Sequence, residues 1–167
     1  QEAALPDNAA IARILAERID RDQANIGIVV AAIENGEARF VSHGQWGRDD
    51  ARPVNEHTPF EAGSISKVMT SLLLAQLVND GRIDLDAPLT DYLPSGTALP
   101  QWEGHSVTAF DLATHTSGLP SLPDDLAQRD PDNPYSAYGA DALMNWLANY
   151  ELTRPTGARF EYSNAGV

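Results

Sequence analysis

Phe60-Glu61-Ala62-Gly63-Ser64-Ile65-Ser66-Lys67-Val68-Met69-Thr70-Ser71-Leu72-Leu73-Leu74-Ala75-Gln76-Leu77-Val78-Asn79 passes from a polar approach into an apolar segment that holds a single charge. The spacing predicts a long helix over 64–79. Ile65, Val68, Met69, Leu72, Leu73 and Leu77 supply its apolar face. Leu74, Ala75 and Val78 extend that face nearly all round, so the helix is expected to be buried. Gly81 supplies a C-terminal stop. Ser64 stands three residues before Lys67, which puts hydroxyl and amine on one helical face. A helix N-terminus favours developing negative charge. Burial beside apolar surface favours a neutral amine that can accept a proton. The same residues also read as a helix cap, Ser64, followed by a snorkelling lysine. Spacing alone leaves both readings open.

Composition sharpens the question. Of the 11 basic residues, ten are arginine and Lys67 is the one lysine. Arginine does not lose its proton in a protein, whereas lysine can. The remaining balance, 24 acidic residues against those 11 and a net charge of −13, argues against nucleic acid or an anionic membrane as partner. No apolar run reaches the length of a membrane span. The absence of cysteine removes disulfides, thiolate chemistry and cysteine-based zinc sites. His43, His57 and His105 have no ligand-like spacing and are expected on the surface; no cofactor or metal is expected. A start at Gln1 with a polar stretch over 1–8 fits a mature exported chain, so a periplasmic or secreted location is expected.

Outward from the central segment, 8–22 reads as an amphipathic helix through Ile11, Ile14, Leu15 and Ile19, with Asp7 or Asn8 as cap. Residues 26–33 read as a strand, Asn35-Gly36 as a hairpin turn, and 38–41 as the returning strand, possible to extend towards Trp46. Residues 48–59 read as a polar connection and 84–100 as a surface wrap. A short helix over 108–114 is capped by Thr108 and stopped by Gly118 and Pro120. A polar excursion over 121–134, a helix over 138–150, a turn at Pro155-Thr156-Gly157 and a final segment over 160–164 complete the chain. Only one hairpin is convincing, and a lone hairpin is marginal without further strands or packed helices. The sequence is therefore expected to be incomplete as a folding unit.

Tyr162-Ser163-Asn164 is the second chemical element. Residues two apart point the same way in an extended segment. Tyrosine can relay a proton, and asparagine can hold an amide or orient a lysine. A buried tyrosine beside an asparagine turn is the plainer alternative.

Phe60 to Lys67, then Leu112-Ala113-Thr114-His115-Thr116-Ser117-Gly118-Leu119-Pro120, then Tyr162-Ser163-Asn164 occur in an order that resembles the penicillin-recognising serine hydrolases, in their class C β-lactamase-like branch. The resemblance covers almost the whole chain. It implies Ser64 as acylated nucleophile and Lys67 as acceptor of its proton or support for the deprotonated base. It also implies Tyr162 as partner acid/base, and Asn164 as ligand of Lys67 and of the substrate's acyl amide. The Ser64 backbone N–H would form half of an oxyanion hole. The stretch from His115 to Pro120 is read as structural. The branch's third motif, Lys-Thr-Gly or His-x-Gly on a C-terminal strand, is absent, as is the strand that would carry the second oxyanion donor.

The resemblance implies an α/β (α+β) fold of the serine β-lactamase/D,D-peptidase type, a helical lobe beside an antiparallel sheet lobe. The chain is expected to be one incomplete catalytic domain over 1–167. Residues 1–60 would begin the sheet lobe, 61–167 would form most of the helical lobe, and the C-terminal strands would be missing. The implied activity is hydrolysis of a β-lactam or D-peptide amide through an acyl-serine. A carboxylesterase on the same scaffold and a non-catalytic binding protein are the alternatives. The expected partners are a small-molecule substrate and a complementing C-terminal segment of the same protein.

Overall fold

A computed structural model describes residues 5–126, 133 and 135–167. The chain divides into two compact units, 1–61 and 62–167.

In the first unit, α1 (Asn8–Ala16) starts where Asp7 accepts a hydrogen bond from the Ala10 N–H at 2.7 Å. This satisfies one of the N–H groups that a helix start leaves unpaired. The helix runs on as a single π turn, Glu17–Arg21, so the helix expected over 8–22 is present with a wider last turn. Strand β1 (Gly27–Glu34) pairs antiparallel with β2 (Glu37–Gly47), with Val30 opposite Val41 and Glu34 opposite Glu37. The two-residue turn between them places Asn35 and Gly36 at φ of 52° and 82°. Both angles are positive, as the tight hairpin turn that follows strand twist requires. Ile28, Val30 and Ala32 alternate along β1 and, with Val41, pack against Ile11 and Leu15 of α1. Helix period meets strand period in this small core.

The connection expected over 48–59 is more ordered than its composition suggests. Strand β3 (Asp50–Pro53) pairs with β2 and completes a three-stranded sheet in the order β1-β2-β3. Its register slips between Gln45 and Gly47. The single-hairpin expectation is thereby corrected. Asp50 and Arg52 are polar because they face outward and pair with each other, and that polarity hid the strand.

The second unit begins with a 3₁₀ turn, Gly63–Ile65, that leads into α2 (Ser66–Asn79). Gly81, at φ 67°, follows the Asp80 cap and ends the helix. A 3₁₀ turn at Leu89–Tyr92 lies in the wrap over 84–100. A two-residue hairpin pairs β4 (Gln101–Trp102) with β5 (His105–Ser106). Helix α3 (Ala109–Ala113) opens on a reciprocal capping box between Thr108 and Asp111. Of the excursion expected over 121–134, residues 127–132 and 134 lie outside the described residues. Helix α4 (Ala140–Asn149) occupies the segment read as helix over 138–150, starting two residues later and ending one residue earlier.

The core of this unit is Val107, Leu119, Trp146, Leu147, Leu152 and Ala165, with Leu112, Leu143 and Met144 against it. Trp146 keeps its Nε1–H satisfied by Asp124 Oδ1 at 2.8 Å. Helix α2 does not belong to that core. Ile65, Val68, Met69, Leu72 and Leu73 are each 60–67% exposed. The expectation of a buried helix is corrected. Its apolar surface runs nearly all round, and in this chain the core of the unit forms on α4, on Val107 just before α3, and on the segments that follow α3 and α4.

Candidate active site

Ser64 sits in the 3₁₀ turn ahead of α2, not at a capping position. The caps of the turn and of the helix are Ala62 and Ile65, and neither makes a side-chain cap bond. The Ser64 hydroxyl is free for other partners and has two. Tyr162 Oη donates to Ser64 Oγ at 2.7 Å, and Lys67 Nζ approaches the same oxygen at 3.5 Å. Lys67 Nζ makes its shorter bond to Asn164 Oδ1, at 2.7 Å. The four residues singled out in the sequence thus meet within the second unit, and the capping alternative for Ser64 does not hold.

The electrostatics follow from these contacts. The Tyr162 phenol titrates below its usual 10.0, first because the Ser64 hydroxyl can donate to the phenolate and next because Lys67 stabilises it. The Lys67 Nζ lies 5.2 Å from the centre of the Tyr162 ring. Lys67 itself is only half-buried. The burial argument made from the apolar helix therefore does not apply to it here, because the surrounding face of α2 stands exposed.

Tyr162 and Asn164 reach the turn because the segment carrying them is fastened from the other side. Ser163, between them, points away and is 1% exposed. Its Oγ donates to the Pro120 carbonyl at 2.7 Å and accepts the Gly166 N–H at 3.0 Å. Backbone bonds run from Gly157 N to Thr116 O, from Glu161 N to His115 O and from Asn164 N to Ser121 O, each 2.8–2.9 Å. Sequence reasoning missed Ser163. Its signal was available in the alternation itself: if Tyr162 and Asn164 share a direction, the residue between them faces the core.

Among the described residues no cluster of histidine, aspartate or glutamate could hold a metal ion. Of the histidines expected on the surface, His57 and His105 are exposed, while His43 is half-buried against Asp20 at 2.9 Å.

The Beta-lactamase family model matches residues 11–167. The chain belongs to the beta-lactamase family. A beta-lactamase of Pseudomonas fluorescens is 33% identical over 151 residues, covering 90% of this chain and 39% of that protein. The D-alanyl-D-alanine-carboxypeptidase/endopeptidase AmpH of Escherichia coli K12 is 30% identical over 145 residues, 83% of this chain and 35% of that protein. Among solved structures, a class C beta lactamase of Rhodobacter sphaeroides superposes with a TM-score of 0.70 at 34% identity, covering 97% of this chain and 41% of that one. The class C β-lactamase-like branch and its mixed fold, read from the ordered motifs, are borne out. The chain spans about two fifths of the length of these beta-lactamase relatives.

Proposed function

We propose that the protein is a serine hydrolase that cleaves a β-lactam or a D-peptide amide through an acyl-serine. The observation that carries this reading is the convergence of Tyr162 Oη and Lys67 Nζ on Ser64 Oγ, with Lys67 tied to Asn164. In the reactive ionisation state the Tyr162 phenolate accepts the Ser64 hydroxyl proton as Oγ bonds to the substrate carbonyl carbon. Lys67 stabilises that phenolate from beside it. Collapse of the tetrahedral intermediate breaks the amide C–N bond, and the Tyr162 phenol returns the proton to the departing nitrogen. Water then hydrolyses the acyl-serine. Asn164 holds Lys67 and is available to the acyl amide. The 2.7 Å contact supports Tyr162, ahead of Lys67, as the immediate proton acceptor.

The same reading places the protein in the periplasm or outside the cell. It also calls for a complementing C-terminal segment that carries the third motif and the second oxyanion donor. The exposed apolar face of α2 supports such a segment, since that face would then lose its contact with water.

The decisive test uses a fluorophosphonate or penicillin probe on the complete protein, with the modified residue located by mass spectrometry. Ser64 is the expected site. Labelling that persists in Ser64→Ala overturns the assignment. Hydrolysis of a chromogenic cephalosporin compared with a short-chain p-nitrophenyl ester separates the amide reading from the esterase one.

A further inference from the structure

His115 adopts φ of 57° in the turn after α3, a left-handed conformation that costs most residues energy and that His tolerates better than most. Its ring lies against the Tyr162 ring at 4.6 Å between centroids, tilted by 35°. The Phe160 ring meets it edge-on at 5.7 Å. The Ser163 N–H donates to His115 Nδ1 at 3.2 Å, and the Glu161 N–H donates to the His115 carbonyl at 2.8 Å. One residue therefore touches Phe160, Glu161, Tyr162 and Ser163 in succession. It does so through both faces of its chemistry, backbone and imidazole. A nitrogen that accepts an N–H carries no proton of its own, so the neutral ring holds its hydrogen on Nε2.

We propose that His115 is a positioning residue for acyl transfer, its Nε2–H tautomer holding the segment 160–163 in the register that sets Tyr162 Oη on Ser64 Oγ. The inference rests on the acyl-serine reading above. It assigns His115 no contact with substrate and no proton transfer. Its effect passes through the Tyr162–Ser64 distance, to which proton transfer is steeply sensitive; a misplacement of about 1 Å costs on the order of a hundredfold in rate. The depressed phenol titration of Tyr162 depends on the same placement and so reports it.

The test uses the complete protein carrying His115→Asn, which tolerates the left-handed backbone but removes the ring, and His115→Phe, which keeps a flat ring but has no acceptor. For both, the acylation rate constant is expected to fall by about a hundredfold, while non-covalent substrate affinity stays near wild type; the melting temperature is expected to fall more for His115→Phe, whose bulky side chain is strained at a positive φ, than for His115→Asn. Carbon-13 tyrosine NMR is expected to show Tyr162 returning towards its usual titration. Wild-type acylation with an unmoved Tyr162 titration in both variants overturns the proposal. Should the variants fail to fold, nitrogen-15 imidazole shifts of the unmutated protein decide: a proton on Nδ1 overturns it. If wild-type Ser64 is never acylated, the hydrolase reading fails, and the NMR readouts still judge the role of His115.

Discussion

Lys67 Nζ is bonded more closely to Asn164 Oδ1, at 2.7 Å, than to Ser64 Oγ, at 3.5 Å. The amine is thus steered by the asparagine and only leans towards the hydroxyl. Asn164→Ala should release it. A hydrogen bond to a charged group contributes about 1.5–3 kcal/mol, so acylation of Ser64 should slow by roughly ten- to a hundredfold. Stopped-flow acylation with a chromogenic substrate measures this. An unchanged rate would mean that Lys67 finds its place without Asn164.

Lys67→Arg retains positive charge but replaces the compact ammonium, held at 2.7 Å from Asn164 Oδ1 and 3.5 Å from Ser64 Oγ, with a longer planar guanidinium that does not fit the same place beside the Tyr162 phenolate. Acylation should drop by several orders of magnitude, as for other groups that act as a unit, with little change in thermal unfolding. Near wild-type acylation would show that charge alone suffices.

The pH dependence has a definite direction. Ser64 and Lys67 hold the Tyr162 phenol below its usual range, so the phenolate form is reached at lower pH than for a free tyrosine. Acylation should rise as pH rises through that lowered value. Ultraviolet difference titration of wild type against Tyr162→Phe should show one tyrosine ionising early. Acylation with no such limb would remove Tyr162 as the acceptor.

Glu161, next to Tyr162, is held below the usual carboxylate range by its hydrogen bond from Arg159 and by Arg154, whose Nη2 lies at 2.8 Å. A depressed acid stabilises the fold above its unfolded-state value and ceases to do so as pH falls through the folded one. Glu161→Gln should therefore lower stability at neutral pH, and the difference should shrink in acid. Paired melting curves across pH provide the check.

The central segment and Tyr162-Ser163-Asn164 made the site legible because helical and extended periods each put two reactive groups on one side. The 8–22 helix, the Asn35-Gly36 turn and the Thr108 cap were legible for similarly local reasons. Strand β3 was not, since Asp50 and Arg52 satisfy each other on the outer face and leave no hydrophobic alternation. Nor was the exposure of α2, because Leu72 and Leu73 report affinity for apolar surroundings and not whether such surroundings are at hand. His115 and Ser163 were read as scaffold or passed over, since their contacts join segments about 40 residues or more apart, which no local period reveals.

Tyr162 meets Ser64 across 98 residues of chain. Ser64 and Lys67 become neighbours as soon as one helical turn forms, but at about 5–20 residues per second of synthesis their partners emerge roughly 5–20 s later. Until that long loop closes, the serine has no phenol beside it and the lysine no asparagine. A nascent or misfolded chain thus carries a dormant hydroxyl, and nucleophilicity becomes a property of folding, acquired at the moment when the segment carrying Tyr162 and Asn164 reaches back to the 3₁₀ turn ahead of α2.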